Sequence, residues 1–142
     1  MTIKYLLDTN ILSEAIRPKP NPNVLQKLQI HQQELGTATL VVHELLFGCY
    51  RLTVSKKRST LQAYIENVIL PNVPLFDYDL KSAQWHASLR AKLVSMGKTP
   101  AFVDGQIAAI AYTNQLILVT NNVSDFQDFQ GLQIENWFQV NK

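Results

Sequence analysis

A chain of 142 residues, 46% of them hydrophobic and 17% charged, can bury one core and is too apolar for disorder. A formal net charge of +2 does not by itself imply a nucleic-acid partner, and the single cysteine, Cys49, excludes an internal disulfide and any multi-cysteine metal site. No apolar run approaches the roughly 18 residues of a membrane helix, and no cleavable leader opens the chain, so the expectation is one cytoplasmic domain over residues 1–142 with no membrane contact.

In chain order, the apolar run Ile3 to Leu7 reads as a buried strand that stops on Asp8, where Asp8-Thr9-Asn10 switches the chain into a short helix through Ile16. Pro18, Pro20 and Pro22 forbid a continuous helix, so Arg17 to Pro22 is a loop; a second helix then runs to about Gln32 on Val24, Leu25 and Leu28. Gly36 to Leu40 is strand-like. From Val41 the spacing of Val41, Val42, Leu45, Leu46 and Cys49 is helical, with Gly48 expected at a close approach, and a further helix from Ser55 to Leu70 is expected to end at Pro71.

Val73 to Asp77 reads as another strand, and Asp79 is placed to cap a long helix to Met96 with Leu80, Ala83, Ala87, Leu89, Ala91 and Leu93 as its apolar side. The helix from Val103 to Asn114 is so rich in alanine and isoleucine that it is expected to be the most buried. Leu116 to Thr120 has the doubly apolar character of a central parallel strand, and Gln133 to Trp137 suits an edge strand. Strands alternating with helices imply an α/β fold with a parallel sheet sandwiched by helices.

Four acids stand out. Asp8 follows a strand end directly and Asp125 follows Thr120 by a few residues, while Glu44 and Asp104 share helical faces with apolar residues. Each has a plain reading: Asp8 as a helix cap, Asp104 as a first-turn acid, Glu44 paired with Arg51, Asp125 in a turn. Together, however, carboxylates converging on the carboxyl edge of a parallel sheet form an oxygen-rich set suited to Mg²⁺ or Mn²⁺, and such a cation on a phosphodiester supports nuclease chemistry.

The segments Leu6-Leu7-Asp8-Thr9-Asn10, Val42-His43-Glu44-Leu45-Leu46-Phe47-Gly48, Asp104-Gly105-Gln106-Ile107-Ala108-Ala109-Ile110-Ala111 and Val119-Thr120-Asn121-Asn122-Val123-Ser124-Asp125-Phe126 carry a resemblance from end to end. In these motifs, in this order, the chain resembles PIN-domain ribonucleases, and among them the VapC-type toxins of bacterial toxin–antitoxin pairs. The resemblance implies a three-layer α/β/α PIN-like domain with a central parallel sheet, acting as an Mg²⁺- or Mn²⁺-dependent endoribonuclease on an RNA such as a transfer RNA. It further implies a VapB-like antitoxin and a twofold homodimer. By it, Asp8, Glu44 and Asp104 are metal ligands and catalytic acids, Asp125 is a further catalytic acid, and Thr120, Asn122 and Asn10 position substrate. Many relatives carry an acid where this chain has Asn122.

Arg51, Lys56, Lys57 and Arg58 form a basic run near Glu44 that suits RNA, or simply a solvated helix start. His31, His43 and His86 share no metal-ligand spacing, and Tyr64, Trp85, Tyr112 and Trp137 fall on apolar patterns as packing residues. Two other functions compete: a catalytically silent RNA-binding or protein-interaction module on the same fold, and a phosphotransfer fold using Asp8, disfavoured because residue 10 is Asn where that motif needs Asp.

Overall fold

The computed structural model describes residues 2–140, so the ends of the 1–142 domain reading lie outside the described residues. Five strands form one sheet: β1 (Tyr5–Leu7), β2 (Leu35–Ala38), β3 (Leu75–Phe76), β4 (Ile117–Val119) and β5 (Ile134–Glu135). All pairings are parallel, in the order β3-β2-β1-β4-β5. β1 is central because Tyr5, Leu6 and Leu7 are buried on both faces, as parallel strands under helices require.

The connections run outward from β1 through β2 to β3, cross back to β4, and continue to β5. Right-handed crossovers then place α1 (Thr9–Glu14), α2 (Pro22–Ile30), α3 (Thr39–Tyr50) and α4 (Lys56–Tyr64) on one face. The same rule places α6 (Leu80–Ser95) and α7 (Phe102–Thr113) on the other. This is the three-layer α/β/α arrangement, and its switch point lies between β1 and β4, where open α/β sheets form a crevice at the carboxyl ends.

Local sequence explains most boundaries. Asp8 caps α1 by accepting from the Thr9 amide, Asn21 caps α2 by accepting from the amides of Asn23 and Val24, and Asp79 caps α6 by accepting from the Ser82 amide. α7 is buried through Gly105 and the run Ile107 to Ala111, as its composition requires. Cys49 is a packed thiol, Trp137 is in the core, and Trp85 stacks on Tyr112.

The structure corrects several boundaries and faces. β2 starts at Leu35, and Thr39 and Leu40 already belong to α3. Pro71 does not end its helix: after α4 a π turn spans Ile65–Ile69, in which the Leu70 amide donates to the Ile65 carbonyl, and α5 (Leu70–Asn72) contains the proline. Pro71 is tolerated there because the wider turn displaces the hydrogen-bond ladder and Pro needs no N–H partner. On α6, Leu80 is 72% exposed, and the buried stripe is Ser82, His86 and Leu93, with Leu89 packed beside it, because α7 lies against that side of the helix. Leu25 likewise faces outward from α2, leaving Val24 as its buried anchor.

The close approach falls at Gly105 and not at Gly48. A Cβ on Gly105 would collide with His86 Nε2, whereas one on Gly48 would meet nothing within 4 Å. His86 is buried between α6 and α7 with its Nδ1 2.9 Å from the Tyr78 hydroxyl, and only a missing side chain lets the two helices close over it.

Candidate active site

Parallel register puts the ends of β1 and β4 side by side: Leu7 pairs with Val119, and the Asp8 amide donates to the Val119 carbonyl at 3.0 Å. Asp8 and Thr120, the next residues on the two strands, therefore meet at the switch point. The Thr120 hydroxyl donates to Asp8 Oδ2 at 2.8 Å, and the Thr9 amide donates to Asp8 Oδ1 at 2.8 Å. Asn10 completes the arrangement, its Nδ2 3.4 Å from both Asp8 Oδ2 and Thr120 Oγ1 and its Oδ1 accepting from the Asn121 amide at 2.9 Å.

Asp8 is thus both helix cap and buried site acid. Burial pushes its carboxyl above the ordinary carboxylate range and the charge of Glu44 adds to that, while the Thr9, Thr120 and Asn10 donors pull the other way. Asp104, half-buried in the first turn of α7, is pushed up to about 6, first by burial and then by the charges of Asp125, Asp8 and Glu44. Four acids from four separate segments therefore share one electrostatic field. Asp125 sits in a short 3₁₀ turn after β4 (Val123–Phe126) and is exposed, with Phe126 beneath it in the core.

Glu44 departs from its sequence reading. It is exposed, and its partner is not Arg51: the Thr9 hydroxyl donates to Glu44 Oε2 at 2.7 Å. The apolar neighbours in sequence, Val41, Val42 and Leu45, turn to the core, and the helix rotation leaves Glu44 on the solvent side. Among the described residues, no Lys, Arg or His lies within ion-pair distance of Asp8, Glu44, Asp104 or Asp125.

The other predicted positions divide. Thr120 is fully buried with its hydroxyl committed to Asp8, so its side chain fixes that carboxylate and does not face solvent. The Asn122 amide donates to Thr120 Oγ1 at 3.0 Å, which bends the chain after β4, and its side chain is exposed. Arg51 lines a pocket of about 420 Å³ with Leu40, His43, Glu44, Phe47 and Val103 and lies over the Phe47 ring, so one of the four basic residues stands in a pocket that Glu44 also lines. Arg58 instead donates to the Leu52 carbonyl and lies over the Tyr50 ring, holding the turn between α3 and α4, while Lys56 and Lys57 are exposed in the first turn of α4.

Three polar residues were not singled out from sequence. Thr9 bridges two site acids, Thr37 is buried and donates to the Leu7 carbonyl just before Asp8, and Glu14 is buried where it accepts from the Asn21 amide. Glu14 was legible as a lone acid on an apolar helical face. Thr9 and Thr37 carry no such signal.

The domain model described as PIN domain matches residues 5–132. The chain belongs to the PIN domain family. Relatives of this PIN domain include the tRNA(fMet)-specific endonuclease VapC of Shigella flexneri, 30% identical over 95% of this chain and 98% of that protein. The toxin FitB of Neisseria gonorrhoeae is 33% identical over 85% of this chain and 89% of its own. Among solved structures, FitAcB from Neisseria gonorrhoeae superposes with a TM-score of 0.83 at 30% identity, covering 96% of this chain and 99% of that one. VapBC2 from Rickettsia felis bound to a DNA fragment from their promoter gives a TM-score of 0.80 at 28% identity, covering 96% and 99%.

Within this PIN domain the acids are all oxygen donors, the kind a hard divalent cation takes. Asp8 is buried, Asp104 is raised by burial and by its neighbours' charges, and no protein cation among the described residues neutralises them. Among the described residues no three His, Cys, Asp or Glu side chains stand close enough to hold a metal as they are, so the acids form a shared field and not a finished coordination shell. No helix among the described residues is long and apolar enough to cross a membrane.

Proposed function

We propose that this protein is a ribonuclease toxin of the VapC type: an endoribonuclease that takes Mg²⁺ or Mn²⁺ at Asp8, Glu44 and Asp104 and is neutralised by a cognate VapB-like antitoxin. The observation that carries this reading is Asp104, half-buried in the first turn of α7, whose carboxyl is pushed up to about 6 by burial and by the charges of Asp125, Asp8 and Glu44. Acids placed so as to repel one another, on the one sheet edge where α/β folds place their ligands, are a cost without a cation and a binding site with one. The names of the relatives support the rest: a tRNA(fMet)-specific endonuclease, a ribonuclease and a toxin. These names, with the charges of Asp8, Glu44 and Asp125 all acting on Asp104, favour the nuclease over a catalytically silent module.

A bound divalent cation supplies an activated water and neutralises the charge that builds on the phosphate and the departing oxygen. The chain's own residues do the positioning. Asp8 is fixed by three donors, Asp104 stands half-buried in the first turn of α7, and Glu44 and Asp125 are exposed near them. Arg51 lies on the pocket wall beside Glu44, where its guanidinium can meet an RNA phosphate. The exposed apolar surface along Phe47 to Val68 supports a homodimer by the same reading, since Phe47 and Tyr50 on α3, Val54 in the connection to α4 and Val68 in the π turn after it lie uncovered.

The test is RNA cleavage by purified protein with Mn²⁺ and total RNA. Asp8→Asn, Glu44→Gln and Asp104→Asn are each expected to lower the rate on the order of a hundredfold or more while the fold persists. Full activity in any two of the three would end the metal-site reading.

A further inference from the structure

Resting on the ribonuclease reading, we propose that Thr9 is a positioning residue, whose side chain holds the Glu44 carboxylate in register with Asp8. Glu44 is the one site acid with a long side chain, and it stands exposed on α3, an element separate from the strand ends that carry Asp8 and Thr120. Among the described residues its hydrogen-bonding partner is the Thr9 hydroxyl, at 2.7 Å.

Thr9 does two things at once. Its amide donates to Asp8 Oδ1 at 2.8 Å and its hydroxyl to Glu44 Oε2, so one residue at the start of α1 spans two carboxylates that would otherwise separate by repulsion. Its own backbone is fixed, since it forms the first residue of a capped helix and its carbonyl accepts from the Ser13 hydroxyl at 3.0 Å. A freely rotating Glu has several rotamers of similar energy in water, and one donor on a rigid element selects among them. A carboxylate that must meet a cation or its water loses rate when it is left to wander, which is the general reason such groups carry a supporting contact.

The informative variants are Thr9→Val and Thr9→Ser. Valine keeps the branch at Cβ and the backbone amide that binds Asp8 and removes only the hydroxyl; serine keeps the hydroxyl. Cleavage of bulk transfer RNA is measured with Mn²⁺, and thermal melts are recorded in chelator and in excess Mn²⁺. Thr9→Val is expected to lower kcat by about tenfold with KM nearly unchanged and to show a smaller Mn²⁺-induced rise in Tm than the wild type. Its melt in chelator should match the wild type, and Thr9→Ser should restore both kcat and the Mn²⁺ shift.

Wild-type kcat and a wild-type Mn²⁺ shift in Thr9→Val would overturn the proposal, as would a serine variant as impaired as the valine one. If the wild type gains stability from Mn²⁺ but cuts no RNA, the ribonuclease reading fails by itself, and the melts alone then decide for Thr9 by whether the valine variant loses the shift. A wild type with neither cleavage nor a Mn²⁺ shift overturns both.

Discussion

α3 and α7 are each twelve residues long, each is dominated by apolar side chains, and each delivers one acid to the site, yet they sit in opposite environments. α7 buries a continuous run from Ile107 to Ala111 between the sheet and α6, and its acid is half-buried. α3 buries Val41, Val42, Leu45 and Cys49 but leaves Phe47 60% exposed and Tyr50 51% exposed, and its acid is in solvent with one hydroxyl to hold it. Apolar content alone therefore does not enclose a helix; the uninterrupted small run Ile107 to Ala111 of α7 does, and the mixed faces of α3 do not. An apolar helix that is not enclosed marks a surface meant to be covered, and an acid on such a helix needs a separate tether.

The sharpest way to break the contrast is at Phe47. If the outer side of α3 is covered by a second copy, light scattering at tens of micromolar should give twice the chain mass, and Phe47→Glu should give the single-chain mass with an unchanged circular dichroism spectrum. A monomeric wild type would leave α3 exposed for some other partner and remove the homodimer from the reading.

The two glycines test the same contrast in packing. Gly105→Ala places a methyl group against His86, which the Tyr78 hydroxyl holds in place, and is expected to cost about 1–3 kcal/mol by overpacking. Chemical denaturation would reveal it as a lower midpoint at unchanged slope. Gly48→Ala on α3 meets no neighbour, so the better helix former should raise stability by about 0.5–1 kcal/mol. Equal losses at both positions would mean that α3 is as closely packed as α7.

Asp104 gives the pH dependence. Its folded-state pKa of about 6 lies above the ordinary 3.8, so its contribution to stability is fully present below about 4 and is lost as pH rises through 6. Above that range its charge is a liability. Asp104→Asn should therefore stabilise the protein in chelator at pH 7 by on the order of 1 kcal/mol, a figure discounted for the water that still reaches the group. The gain should shrink to nothing as pH falls from 6 to 4, while Mn²⁺ should stabilise the wild type more than the variant. A variant less stable than wild type in chelator at pH 7 would show that neighbouring charge does not burden this carboxyl.

Much of the fold was legible because its signals are local. An apolar run that stops on a polar residue marks the strands ending at Asp8 and Thr120; Asp79 three residues before Ser82 marks a helix start; alanine and isoleucine without interruption mark α7 as enclosed. Asp8, Glu44, Asp104 and Asp125 stood out because acids beside apolar residues are rare, and the structure does bring their charges together.

What the sequence determined by itself was therefore the set of elements, the parallel α/β class and the acids worth watching, all of which follow from backbone preference and burial along a single segment. Only the tertiary structure decided which glycine lets helices close, that Pro71 lies inside a helix end after a π turn, that Leu80 faces water and Glu44 does too, and that Thr9 joins Glu44 to Asp8. Each of these depends on which element lies opposite. Thr9 and Glu44 are 35 positions apart, and the contact between them exists because β1 and β2 are paired with Leu7 beside Thr37, a register set by how the whole sheet buries its two faces.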